Sequence, residues 1–182
     1  MTIFSSHSPI VLAPHPGLFG QRRPLLIVHD LDCLHRESRD RAASVFDRIA
    51  RIIELARQLR LPIAHAFRPG SVDGSLPAGC RPHAKEIVFE RPLLSCLSSS
   101  TFLEVVRNSG IGELVLCGFR ASTAAASLLD AAALGIRAYA LTDLLIDDPR
   151  DRFSVQDHHA RQFIHGINAE RLSVDWPLAR VS

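Results

Sequence analysis

The chain has 182 residues, and 21 Lys and Arg against 19 Asp and Glu give a formal charge of +2 at pH 7. Hydrophobic residues make up 47% and charged residues 22%, which supports one folded domain with a core and excludes a disordered chain. No Lys/Arg block is present, and no apolar run reaches the roughly 18 residues that a bilayer crossing needs, so neither nucleic-acid binding nor a membrane span is expected.

Residues 1–23 contain Pro9, Pro14 and Pro16 and read as an irregular leader, leaving 24–182 as the domain. Residues 24–29 form an apolar run suited to a buried strand, ending at Asp30. Residues 39–60 place Val45, Ile49, Ile52, Ile53, Ala56 and Leu59 at helix spacing. A second strand is expected over 61–67, a Gly-, Pro- and Ser-rich loop over 68–84, and a third strand over 86–90. Ser98, Ser99 and Ser100 offer caps for a helix running to about Asn108, with Gly110 ending it. A fourth strand follows at 113–118, an Ala-rich helix at 122–134 closed by Gly135, and a fifth strand at 136–142. A polar stretch carries Asp147, Asp148 and Pro149, a last helix is expected over 155–166 and a sixth strand over 171–174.

This alternation predicts one α/β domain built on a predominantly parallel six-stranded sheet with helices on both faces, a Rossmann-like three-layer arrangement. Ligand sites in such sheets lie beyond the carboxyl ends of the strands. The residues there are Asp30, Arg68, Arg91 and Arg120. A carboxylate at the mouth of a buried strand is placed for proton transfer, or simply caps the next turn. Three guanidinium groups at one sheet edge suit a carboxylated substrate, because Arg binds carboxylates bidentately. Set against that, the chain holds 20 Arg and a single Lys, Lys85, so Arg is common in any loop.

The cysteines Cys33, Cys80, Cys96 and Cys117 include no C-x-x-C pair, which predicts a reduced, cytoplasmic protein without zinc. His158 and His159 are adjacent on the expected last helix and cannot share a face to hold a metal. No G-x-G-x-x-G, Walker A or G-x-S-x-G motif occurs.

Four segments together resemble the isochorismatase-like cysteine hydrolase superfamily, over roughly residues 20–178. Leu25-Leu-Ile-Val-His-Asp30-Leu-Asp is similar to its first strand, and the His before the Asp is similar to the isochorismatase branch. Arg91-Pro-Leu-Leu-Ser95-Cys-Leu resembles the segment that opens on the family's catalytic Lys. Leu114-Val-Leu-Cys-Gly118-Phe followed by Asp130-Ala131 resembles the strand and helix that carry the nucleophile, and Phe153-Ser-Val-Gln-Asp157-His158 the segment after strand five. The chain departs from the pattern at four points. Arg91 stands at the Lys position, Asp32 stands where the first signature has Gln, and the loop after strand two is shorter. The interval from Gly118 to Asp130 is one residue short, which leaves the nucleophile position at Thr123 or Ala124.

The resemblance implies a homo-oligomer without metal or organic cofactor, with Asp30, Arg91 and Thr123 or Ala124 at the catalytic positions. With Arg68 and Arg120 from the strand ends, Ser95 and Phe119 are the expected contacts to a small carboxylated molecule. Amide hydrolysis through a Cys nucleophile is closed to such a chain. One reading that remains is cleavage of a carboxylated vinyl ether such as isochorismate, with Asp30 as general acid. A second is a degenerate active site that binds a small acid or a protein partner without turnover. A third moves the nucleophile to Cys33 or Cys117.

Overall fold

Strand β1 (Arg23–His29) lies at the centre of the sheet and is buried over six of its seven residues. The computed structural model describes residues 23–33, 42–70, 76–146 and 167–169. Within them β2 (Ile63–Phe67), β3 (Ile87–Glu90), β4 (Ile111–Phe119) and β5 (Arg137–Ile146) complete a five-stranded sheet in the order β3-β2-β1-β4-β5. Every pairing is parallel. The expected leader up to residue 22, the helix over 155–166, the sixth strand over 171–174 and the segment from Phe153 to His158 lie outside the described residues.

Both faces of the sheet are covered, and this explains why the central strands read as continuous apolar runs. On one face Leu26 and Val28 of β1, with Val115 and Cys117 of β4, meet Phe46, Ile49, Ile52 and Ile53 of helix α1 (Ala43–Gln58). On the other, Leu25 and Ile27 with Leu114 and Leu116 meet Phe102 and Val106 of α2 (Ser100–Asn108) and Ala131 of α3 (Ala121–Ala133). Alternate side chains of one strand therefore feed two cores.

Element ends differ from the sequence reading in instructive ways. Of the three serines offered as caps for α2, Ser99 is the cap, its hydroxyl accepting from the Phe102 amide at 3.4 Å, and Ser100 is the first helical residue. Ser98 instead donates to the Ser95 carbonyl at 2.7 Å. Strand β5 runs four residues past the expected Thr142. After a register shift between Leu116 and Gly118, Gly118 pairs with Leu145 and Phe119 with Ile146, so β4 carries β5 outward with it.

Candidate functional site

The strand order reverses direction between β1 and β4, and the carboxyl ends of these strands hold the polar cluster. Three residues just past strand ends are pinned there by a last backbone bond to the neighbouring strand. The amide of Asp30 donates to Ala66, that of Arg91 to Phe67 and that of Arg120 to Ile146, at 3.0, 2.9 and 2.8 Å. Asp30 and Arg120 have φ of 56° and 74°, left-handed conformations that non-glycine residues adopt at an energetic cost. Gly118 makes the close packing of the two strands feasible. A Cβ there would stand 2.1 Å from the His29 carbonyl oxygen, and its φ is 141°.

The carboxylate of Asp30 is 1% exposed and is met from three sides. Arg91 Nε donates to Oδ1 at 2.9 Å, Arg91 Nη2 donates to Oδ2, and the Thr123 hydroxyl donates to Oδ2 at 3.2 Å. Arg91, 5% exposed, also donates from Nη1 to the carbonyls of Leu93 at 2.5 Å and Leu94 at 3.2 Å. The guanidinium is thus fixed between the carboxylate and the turn that follows β3. This is a fork-on-fork ion pair in a buried setting, where the two charges support each other strongly.

Behind the pair lies His29, fully buried, with Nδ1 4.0 Å from Asp30 Oδ2. Its ring nitrogens make no hydrogen bond of normal geometry among the described residues, and the Phe119 backbone supplies only a weak contact. Burial lowers its pKa to about 4. The Asp30 charge opposes that shift and the Arg91 charge adds to it.

Of the two positions left open by the spacing, Thr123 faces Asp30. Ala124 packs with Ala121, Ala140 and Leu145 against β5. Thr123 is held by a relay in which the Cys96 amide donates to Ser127 Oγ at 2.8 Å, and that hydroxyl donates to the Thr123 carbonyl at 2.8 Å. Cys96, which the sequence reading passed over, is near enough to feel both Asp30 and Arg91. Burial pushes its thiol up to about 12, so it stays protonated. Cys117 is fully buried among Val115 and Phe119, with its thiol pushed up by burial, and offers no nucleophile to the cluster. The side chain of Cys33 lies outside the described residues.

A cleft of about 360 Å³ opens in front of the cluster, lined by Arg68, Arg91, Arg120 and Ser122 and by the apolar wall of Pro92, Leu93 and Leu94. Leu93 is 70% exposed. Asp30 is not part of the lining, because Arg91 stands between it and the cleft. Two expected substrate contacts are placed elsewhere. Ser95 is buried and caps the 3-10 turn Cys96–Ser98, accepting from the Leu97 amide at 3.1 Å. Phe119 is fully buried, and the Arg120 guanidinium stacks 5.1 Å from its ring centre. Ser122, Leu93 and Leu94 are lining residues that the sequence reading missed. Among the described residues no group of three or more His, Cys, Asp and Glu is arranged to hold a metal, and no helix is long and apolar enough to cross a membrane.

A parallel, doubly covered sheet with a polar cluster at its switch point defines an α/β protein of the kind in which ligand sites lie at the strand ends. The chain belongs to the isochorismatase family of hydrolases, whose isochorismatase domain matches residues 24–160. No curated protein matches the sequence. Among solved structures it is similar to an isochorismatase from Pseudomonas putida KT2440, with a TM-score of 0.65 and 21% identity over 83% of this chain and 90% of that one. It is also similar to the N-carbamoylsarcosine amidase of Thermoplasma acidophilum, at TM-score 0.63 and 19% identity over 81% and 97%. The MAR1 ribonuclease of Caenorhabditis elegans matches at 0.65 and 14% over 86% and 82%. Likeness at these identities shows the fold, and one fold here carries three differently named activities.

Proposed function

We propose that this family member holds a small carboxylated molecule in the arginine-lined cleft and does not carry out thiol-dependent acyl transfer. The observation that carries this reading is the placement of Arg91. It lines the cleft while bonding both oxygens of Asp30, and Thr123 and Ala124 carry no thiol, so a ligand meets guanidinium groups and no thiolate beside that carboxylate. Arg68 and Arg120 add positive charge on the same wall, and Leu93 and Leu94 supply an apolar surface for the rest of the ligand. Bidentate carboxylate binding is what guanidinium groups do best.

A second reading is vinyl-ether cleavage with Asp30 as general acid, supported by the left-handed backbone that holds Asp30 beside the Thr123 hydroxyl. It requires Arg91 to release the carboxylate so that Asp30 can take up and deliver a proton. One experiment separates the two. Isochorismate is supplied across about pH 5 to 8, and both pyruvate release and the shift in melting temperature are recorded. A melting shift without pyruvate supports the binding reading. Pyruvate release that vanishes in Asp30→Asn establishes the hydrolase instead. No shift with isochorismate or with other small mono- and dicarboxylates removes the binding reading.

A further inference from the structure

A second cleft, of about 560 Å³, opens at the opposite end of the sheet, where the strands begin. Arg23 at the start of β1, Arg57 and Arg60 at the end of α1, and His83, Lys85 and Glu86 just before β3 line it, with residues 61–63 forming an apolar strip. Strand β1 spans the distance between the two clefts, about 20 Å at the usual strand rise, so this cleft is separate from the Asp30 cluster.

The charge balance of this cleft is one-sided. Its single carboxylate, Glu86, is fully engaged. Arg57 donates from Nε at 2.7 Å and from Nη2 at 3.2 Å, the His83 amide donates at 2.9 Å, and His65 Nε2 lies 2.8 Å away. Arg57 and Glu86 therefore cancel each other and form a firm wall. Arg23, Arg60 and Lys85 then remain, all exposed and none paired with a carboxylate among the described residues. The negative end of α1 accounts for cations on that helix. It does not account for Lys85, which arrives from another segment of the chain. Arg23 is further fixed over the helix end by donating from Nη2 to the Arg60 carbonyl at 2.8 Å.

We propose that this cleft is a second binding site, for a small phosphorylated molecule with an apolar or aromatic body, of which a nucleoside diphosphate is the type. Two arginine forks and one lysine point charge match several phosphate oxygens at once, and the apolar strip receives the rest of the ligand. The cleft volume falls within the roughly 300–1,000 Å³ of small-molecule sites.

The test uses the full chain at low ionic strength, titrated calorimetrically with inorganic pyrophosphate and with ADP. The expected result is saturable binding of both, tighter for ADP, weakened at least about tenfold in the double variant Arg60→Gln, Lys85→Gln and unchanged in Arg68→Ala. The substituted side chains are exposed, and an unaltered melting temperature of the double variant shows that the fold persists. No saturable binding below about 5 mM overturns the proposal. So does binding that ignores the double variant, and so does binding lost in Arg68→Ala, which would place the anion in the other cleft.

Discussion

At Asp30, two guanidinium nitrogens and one hydroxyl stand in for the water that a surface carboxylate would have. Removing the guanidinium leaves a buried charge without compensation, and breaking such a pair costs about 3–5 kcal/mol. Arg91→Ala is therefore expected to lower unfolding free energy by that amount in urea titrations. Arg91→Lys, which keeps the charge but loses the fork, should cost less. Thr123→Val keeps the shape and removes one donor to the carboxylate, for an expected loss of about 1–2 kcal/mol in the same measurement. A loss below about 0.5 kcal/mol would mean that the Thr123 hydroxyl contributes little to holding Asp30. The shared placement of Asp30, Arg68, Arg91 and Arg120 was legible in the sequence because each directly follows a strand of one parallel sheet. Thr123 and Ala124 were not separable, since a one-residue gap turns a helix position by about 100° and only the packed helix shows which side chain faces β1. Ser95 shows a different difficulty. Its place beside a site segment suggested a ligand contact, but a serine just before a 3-10 turn satisfies a turn amide, and spacing alone does not tell the two roles apart.

The contact between β1 and β4 depends on a position with no side chain. His29 pairs with Gly118, and a methyl group at Gly118 would overlap the His29 backbone. The left-handed φ adds strain for any L-residue. Gly118→Ala is expected to destabilise the fold by more than about 3 kcal/mol, or to give insoluble protein, because the two central strands must part. Gly110→Ala is the comparison. Its φ of 67° is also left-handed, but nothing lies within 4 Å of a Cβ there, so only the backbone strain of about 1 kcal/mol is expected. Equal effects at the two sites, compared by chemical denaturation, would show that the close strand approach is not what Gly118 serves. Strands β1, β2 and β4 were readable because burial on both faces leaves few polar residues inside them. Their ends were less readable. Asp143 interrupts the apolar run of β5, yet the strand continues through it because pairing with β4 resumes past the register shift, a long-range effect with no local signal.

Across the whole molecule, several buried ionisable groups lean the same way and set how stability follows pH. His29 is held neutral by burial, with its pKa near 4 against an ordinary 6.5. His65 is also lowered by burial, opposed by its hydrogen bond to Glu86. For both, the folded state binds its proton less readily than the unfolded chain. Their contribution is therefore complete above about pH 6.5 and is lost as pH falls below it, for His29 down to about 4. His29 alone accounts for about 2–3 kcal/mol by pH 4.5. Glu86 acts in a lower window. Burial would raise its pKa, but the bonds from Arg57, the His83 amide and His65 outweigh burial and lower it. Its stabilisation persists above the ordinary value of 4.5 and declines only as pH falls through the depressed folded value. Urea unfolding at intervals from pH 7.5 to 3.5 is expected to show a falling free energy that begins near 6.5. His29→Gln should flatten most of that early slope while leaving the decline below about pH 4.5 in place. A wild-type profile that stays level between 6.5 and 4.5 would mean that His29 carries a proton in the fold. The charge beside Asp30 would then differ from the one described, with Arg91 and an imidazolium sharing the same carboxylate.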